Sequence, residues 1–350
     1  MELPDLRPGD LIACSEPTGP LWPSLIERAW EAEAAVLPLE PRLPARARDA
    51  LLARCRPSVV DGVRIHDDEV VGPRIGLVIA TSGTTGEPKA VLLSRDALRA
   101  AVERSAKRLG LDGEPWGCPI PVAHIGGMLV VLRGLLLGAP VDFTSDPASS
   151  RAPWSSIVPL QLARLARAGV RLEGRAFLVG GDRLDADLRA RAEELGARIL
   201  HTYGMSETCG GVVYDGVPLD DVIITLGDDA RITIDGPTLF DGYVGADARV
   251  GAFATADRGC WAANGTLEIR GRIDDIVIIN GENLDRGAIE ATIRQIPGVD
   301  AATVRVLHDP DRGASLVARI DAPRLTDAQL AQIVRDTHGA LAVPRIERDA

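Results

Sequence analysis

The spacing of apolar residues changes texture along the chain, and each texture predicts its own elements. Ile75-Gly76-Leu77-Val78-Ile79 is short enough for one buried strand, and Ala90-Val91-Leu92-Leu93 forms a second such run after a polar loop. Upstream, residues 1–72 are rich in Pro, Arg and Ala, with helical spacing around 24–35 and 45–54. No chemistry stands out there, and the segment is expected to pack against the sheet that follows. Downstream, Ser94 is a candidate N-cap, Ala97, Leu98, Ala101, Val102, Ala106 and Leu109 share one helix face, and Gly110 is placed to end it. The run from Met128 to Leu137 reads as a buried helix; Arg133 interrupts it, and it is too short to cross a bilayer.

Between 155 and 203 the pattern alternates: strand-like 155–158, helical 160–168, strand-like 176–179, helical 186–195, strand-like 198–202. Strands alternating with helices of that length indicate βαβ units and a mainly parallel sheet. Beyond Gly210 come short strands at 222–226, 231–234 and, after an Asn264-Gly265 turn, 267–270. The texture shifts again at Gly271-Arg272-Ile273-Asp274-Asp275. After it a strand at 276–279, a helix at 287–296, strands at 302–307 and 315–320 and a helix at 326–337 are expected. The fold class is therefore α/β. Residues 1–271 are expected as a large domain of mainly parallel sheets flanked by helices, with a short-strand β region, and 272–350 as a small mobile α+β domain. No internal repeat or low-complexity tract is evident.

Composition narrows the function. A chain of 350 residues can build a sizeable core and more than one domain. Its net charge of -11 argues against a general nucleic-acid binder and against an anionic membrane surface, so an anionic ligand would need locally placed cations or a metal. Cys14, Cys55, Cys118, Cys209 and Cys260 are scattered without a C-x-x-C pair, which suits reduced thiols in a cytosol. The N-terminus lacks the basic-then-apolar pattern of a signal peptide.

Candidate chemistry begins in the loop between the first two apolar runs. It holds hydroxyls at Thr81, Ser82, Thr84 and Thr85, glycines at Gly83 and Gly86, and an ammonium at Lys89. Glycine lets backbone N–H groups turn toward an anion, and the other groups add donors, so this is a phosphate-holding composition. It is not a Walker A loop: Pro88 precedes the lysine, and a strand rather than a helix is expected to follow. The chain has only two lysines, Lys89 and Lys107, and one of them falls here. An unliganded Thr/Ser/Gly hairpin is the plainer reading of the loop alone.

In parallel sheets, ligands sit beyond the carboxyl ends of the strands. Gly180-Gly181-Asp182 and the loop Tyr203-Gly204-Met205-Ser206-Glu207-Thr208 fall at such ends. Tyr203 offers a flat face for a base, Ser206 and Thr208 offer hydroxyls, and Glu207 offers a hard oxygen for Mg²⁺; alone, the segment reads equally as a turn with a helix cap. His124 stands at the mouth of the 128–137 helix, where a lone histidine is more often structural than catalytic. Asp257 is expected in a loop, where its carboxylate could accept from two ribose hydroxyls or simply hold a turn.

Taken together and in order, Thr-Ser-Gly-Thr-Thr-Gly-Glu-Pro-Lys, Tyr-Gly-Met-Ser-Glu-Thr, the Asp257 segment and Gly-Arg-Ile-Asp-Asp resemble the adenylate-forming superfamily of acyl-CoA synthetases, luciferases and peptide-synthetase adenylation domains, from about residue 75 to the end. Within it, the run from His201 to Asp220, the Pro121-Val-Ala-His-Ile-Gly-Gly127 stretch and the compact length are similar to the o-succinylbenzoate–CoA ligases of menaquinone synthesis.

The resemblance implies two steps. The carboxylate of an acid attacks the α-phosphate of MgATP to give acyl-AMP and pyrophosphate; the thiol of CoA then attacks the acyl carbonyl and AMP leaves. It implies Lys89, Glu207, His124 and Thr208 at the chemistry, with Mg²⁺ on Glu207 and His124 bordering the acyl site. It implies nucleotide contacts from Thr81, Ser82, Gly83, Thr84, Thr85 and Gly86, and from Gly180, Gly181, Tyr203, Gly204, Met205 and Ser206. Asp257 and Arg272 would hold the ribose, Asp274 would be the hinge of the small domain, and Gly281 would approach the pantetheine arm. The partners implied are small molecules (an aryl or acyl carboxylate, ATP and CoA) in the cytoplasm, with no nucleic acid and no membrane insertion. The oligomeric state stays open, a homodimer included. Family members usually carry a lysine in a Gly-Lys segment near the C-terminus. None follows Lys107 here, so the chain is expected to continue past Ala350. The alternatives are a ligase for another aryl or acyl acid, and a nucleotide- or acyl-AMP-binding pseudoenzyme.

Overall fold

The computed structural model describes residues 3–81, 89–279, 282–309 and 313–348; the side chains of Asp274, Ile276, Ile278, Glu282, Asn283, His308 and Asp309 lie outside that description. In chain order come β1 (Leu11–Cys14), α1 (Leu21–Glu31), β2 (Ala35–Pro38), α2 (Ala45–Cys55), β3 (Val59–Val60) and β4 (Val63–Arg64). The apolar runs that flank the polar loop are β5 (Ile75–Thr81) and β6 (Lys89–Ser94). They are followed by α3 (Arg95–Leu109), β7 (Trp116–Gly117), α4 (Ile125–Leu137) and β8 (Val141–Asp142). The alternating stretch forms β9 (Trp154–Ile157), α5 (Pro159–Arg167), β10 (Ala176–Val179), α6 (Ala186–Glu194) and β11 (Arg198–Met205). After a 3₁₀ turn at Ser206–Thr208 come β12 (Gly210–Tyr214), β13 (Val217–Pro218), β14 (Ile223–Leu226), β15 (Arg231–Asp235), β16 (Gly242–Tyr243), β17 (Phe253–Trp261) and β18 (Leu267–Arg272). The chain ends with β19 (Ile276–Ile279), β20 (Glu282–Asp285), α7 (Arg286–Gln295), β21 (Ala301–Asp309), β22 (Gly313–Asp321), α8 (Asp327–His338) and β23 (Arg345–Arg348).

By compactness the chain divides into Met1–Ile224 with Ile234–Phe253, and Thr225–Thr233 with Ala254–Ala350. The first unit holds two seven-stranded sheets. One runs β16-β6-β5-β2-β1-β3-β4, with β5, β2, β1 and β3 parallel and β6 and β16 antiparallel at one edge. The other runs β13-β12-β11-β10-β9-β7-β8, parallel from β8 to β11 and antiparallel over β12 and β13. Helices α1, α3 and α4 bury Trp22, Ile26, Leu98, Val102, Met128 and Val131 with Ile12, Val36, Leu77 and Val91 of the first sheet. Burial of each such side chain favours the folded state by roughly 1.5–3 kcal/mol.

Helix α3 is framed as its sequence predicts. Ser94 Oγ accepts from Ala97 N at 3.4 Å, and Gly110 takes φ +68°. The buried α4 accommodates Arg133 by laying its guanidinium 4.4 Å from the Trp116 ring centroid and donating from Nη2 to Ser105 Oγ at 3.0 Å. Among the described residues no helix is long and apolar enough to cross a membrane. The five cysteines are free thiols, and all but Cys260 are buried.

Elsewhere the structure corrects the sequence reading. Residues 1–72 do not merely pack on the sheet: they supply β1, β2, β3 and β4 to it. The four-residue runs of β1 and β2 are buried on both faces, so no apolar–polar alternation betrays them. The helix expected over 24–35 stops at Glu31, because Glu33 enters the left-handed region at φ +54° and Ala35 already pairs with Leu11. Tyr203, Gly204 and Met205 are strand rather than loop, since β11 continues into an antiparallel hairpin. Asp257 likewise lies inside a strand, β17. In the second unit, β21, β22 and β23 form a sheet whose core joins Ile289 and Ile293 of α7 to Leu330 and Val334 of α8.

Candidate active site

The β11–β12 hairpin is shaped by what fits in it. A Cβ at Gly204 would clash with the carbonyl of Gly210 and lie 2.7 Å from Gly211 Cα, so the two strands approach more closely there than any side chain permits. The turn closes with Cys209 at φ +50° and Gly210 at φ +89°. Thr208 is fully buried: its Oγ1 accepts from Met205 N at 2.9 Å and lies 2.7 Å from Gly210 O. Within the turn that carries Glu207, the Thr208 hydroxyl is engaged by backbone groups of Met205 and Gly210.

Glu207 stands at the tip. Its backbone carbonyl accepts from Phe240 N at 2.9 Å, and Tyr243 Oη donates to its Oε1 at 2.9 Å. The Oε2 atom has no hydrogen-bond partner among the described residues. Burial first, then the charge of Glu207, pushes the Tyr243 pKa up, so the phenol stays a donor at physiological pH. Tyr243 sits on β16, whose register opposes it to Val91 of β6. Lys89, at the start of β6, places its Nζ 5.4 Å from the centroid of the same ring. Lys89 and Glu207, read from separate motifs, thus meet at one tyrosine.

The sequence reading did not select Tyr243. The chain has only three tyrosines, Tyr203, Tyr214 and Tyr243, and that scarcity was the available signal. Strand β16 is two residues long and pairs with a strand far back in the chain, so no local periodicity marks it.

Thr81 pairs across from Lys89 at the mouth of the β5–β6 hairpin. Ser82, Gly83, Thr84, Thr85 and Gly86 lie outside the described residues, as do Gly281 and the side chain of Asp274. Gly180 follows β10, and a Cβ there would lie 2.6 Å from Thr202 Oγ1; Gly181 takes φ +83°. The loop is tied to β11 where His201 Nε2 meets Asp182 O at 3.4 Å. Ser206 opens the 3₁₀ turn beside Glu207. His124 is exposed at the N-cap position of α4 without a side-chain capping bond. That helix packs on the hairpin, since a Cβ at Gly210 would meet Leu129 at 2.5 Å and Ile125 at 3.8 Å. In the second unit Asp257 and Arg272 are register partners on β17 and β18, with Arg272 Nη1 3.4 Å from Asp257 Oδ1.

Glu207 offers the hard oxygen ligand of the site. Among the described residues no three His, Cys, Asp or Glu side chains cluster as a metal cage. Mg²⁺ commonly binds through one or two carboxylates together with substrate phosphates and water, so the single Glu207 carboxylate, oriented by Tyr243, fits it.

The family model described as AMP-binding enzyme matches residues 73–243, which include Lys89, Glu207 and Tyr243. The chain is 33% identical over 349 residues to a protein of Mycobacterium tuberculosis named probable 2-succinylbenzoate–CoA ligase, covering 91% of this chain and 90% of that one. It is 29% identical over 303 residues to the 2-succinylbenzoate–CoA ligase of Enterococcus faecalis, covering 74% and 61%. The chain belongs to the 2-succinylbenzoate–CoA ligase family of AMP-forming acid–CoA ligases. Its fold is that of o-succinylbenzoate coenzyme A synthetase (MenE) from Bacillus subtilis, solved in complex with AMP, with a TM-score of 0.85 over 98% of this chain and 85% of that one at 20% identity.

Proposed function

We propose that this chain is an ATP-dependent ligase that converts o-succinylbenzoate to o-succinylbenzoyl-CoA through an acyl-AMP intermediate, in the cytoplasm and within menaquinone synthesis. The observation that carries the reading is the meeting of Lys89 and Glu207 at Tyr243. Gathering a triphosphate requires donors held in advance, and preorganised charge of this kind is usually the largest contribution to such a rate. Lys89, Thr81 and the Ser82, Gly83, Thr84, Thr85 and Gly86 segment bind the phosphates. Glu207 holds Mg²⁺, which when bound offsets phosphate charge as a Lewis acid.

Tyr203 stacks the adenine beside Gly180 and Gly181, with Gly204, Met205 and Ser206 lining the nucleotide. Asp257, oriented by Arg272, accepts from ribose hydroxyls. His124 borders the acid, residues 272–350 swing about Asp274 between the half-reactions, and Gly281 approaches the CoA arm. Pyrophosphate release with ATP, Mg²⁺ and o-succinylbenzoate, followed by thioester formation when CoA is added, is the expected result. Release with other aryl or acyl acids and none with o-succinylbenzoate would reassign the substrate. ATP binding without release from any acid would overturn the ligase reading.

A further inference from the structure

Tyr243 is immobilised along its own strand. Asp241 N donates to Leu92 O at 2.8 Å and Val244 N donates to Ala90 O at 2.9 Å, fastening β16 to β6 on both sides of the tyrosine. The Asp241 carboxylate accepts from Ser94 N at 3.1 Å and pairs with Arg74. The rings of Phe240 and Tyr243 meet edge to face at 5.0 Å, and Phe240 meets Phe253 in the same way at 5.0 Å. From this fixed position one side chain touches both charged groups of the site: its hydroxyl bonds the Glu207 carboxylate, and its face lies under the Lys89 ammonium. Lys89 and Glu207 each meet the tyrosine, and no ion pair between them is found among the described residues.

That arrangement solves a problem the site would otherwise have. A lysine and a glutamate facing each other across a small gap attract strongly where water is scarce, and paired directly they would offer less charge to a ligand. We propose that Tyr243 is a positioning residue that keeps the two apart and aims each. Its hydroxyl fixes Oε1 of Glu207 and leaves Oε2 for a divalent cation, while its ring holds the ammonium toward the phosphates. The proposal rests on the ligase reading and assigns a division of labour within the same site. The hydroxyl serves the metal-dependent part of ATP binding, and the ring serves the metal-independent part.

The test titrates the full chain with ATP calorimetrically, in Mg²⁺ and in EDTA, for wild type, Tyr243→Phe and Tyr243→Leu, beside the Mg²⁺ dependence of pyrophosphate release. In EDTA the Phe variant is expected to bind ATP as wild type does, because the ring stays, and the Leu variant to bind it about three- to fivefold more weakly. In Mg²⁺ the Phe variant is expected to lose about tenfold in ATP affinity, and its half-saturating Mg²⁺ to rise by a similar factor, with a smaller change in kcat.

Wild-type or tighter Mg²⁺ dependence in the Phe variant overturns the role given to the hydroxyl. Equal weakening of both variants in EDTA overturns the role given to the ring. The Phe variant retains the packing against Phe240, so the first comparison stands even if the Leu variant unfolds on a thermal melt. Absence of pyrophosphate release from wild type would instead sink the ligase reading, while the ATP titrations would still report on Tyr243.

Discussion

The two large sheets of the first unit are built on one plan and finished differently. Each has a parallel interior whose last strand, β5 or β11, is followed by an antiparallel partner, and Lys89 and Glu207, the two candidate charged groups, stand at these strand ends. In the second sheet the edge is closed locally: β12 and β13 follow at once, and the turn is held by its own Thr208 and Gly204. In the first sheet the edge is closed by β16, which arrives from far along the chain and brings Tyr243 with it. The turn of the second sheet is thus a rigid mount for a carboxylate, whereas the hairpin of the first depends on a distant segment to place its lysine. Function should therefore separate from stability at Lys89 and coincide with it at Gly204.

Lys89→Ala should show the largest effect. Pyrophosphate release is expected to fall about 10²–10³-fold, as for loss of one oriented donor to developing charge. The melting temperature should drop little, because the visible interaction of the side chain is a cation–π contact worth about 0.5–1 kcal/mol. Equal loss of folding and activity in this variant would erase the contrast between the hairpins.

Gly204→Ala should do the opposite. The added methyl group meets backbone atoms of Gly210 and Gly211, which can yield only by parting β11 from β12. A loss of about 3 kcal/mol in denaturant unfolding is expected, with activity falling in step. Full stability in this variant would mean that the turn is less tightly mounted than its geometry implies.

The same contrast explains what the sequence could and could not disclose. The elements from β9 to α6 were legible because periodicity is a local signal, and α3 was legible because Ser94 and Gly110 bracket it. Lys89 and Glu207 stood out as candidates because each sits in a short stretch of unusual composition, and the structure brings both to Tyr243. Strands β1 and β2 were hidden by being buried on both faces, and Asp257 was assigned to a loop because Ala254-Thr255-Ala256 lacks the bulky residues that mark a strand. Tyr243 could not be connected to Glu207 by any local rule. Its role depends on a pairing between β16 and β6 that the intervening chain does not encode locally.

Thr208 gives a finer test of the rigid mount. Thr208→Val keeps the volume but strips the partner from Met205 N inside a buried turn; a loss of about 1–2 kcal/mol is expected, together with a rise in the Mg²⁺ needed for half-maximal pyrophosphate release. Thr208→Ser keeps the hydroxyl and should restore most of both. If Ser and Val variants behaved alike, the hydroxyl would not be what holds the turn.

The smallest expected effect separates the sheets by pH. On β11 of the second sheet, burial lowers the His201 pKa below 6.5, outweighing the carbonyl of Asp182 that would raise it. The unfolded chain therefore binds the proton more readily than the folded one, so stability is complete above about pH 6.5 and declines as pH falls below it. At the start of β1 in the first sheet, burial would raise the Asp10 pKa, but Arg64, donating at 2.7 Å, Arg7 N and Ser58 together hold it below 3.8. That contribution is present above the unfolded carboxylate value and is lost only as pH falls through the lower folded one. Acid should thus weaken the second sheet well before the first. His201→Gln should flatten the unfolding free energy between pH 6.5 and the carboxylate range, and Asp10→Asn should flatten the limb below it at the expense of stability at neutral pH. If His201→Gln left the upper limb unchanged, the pH sensitivity would have to come from groups outside the β11 hairpin.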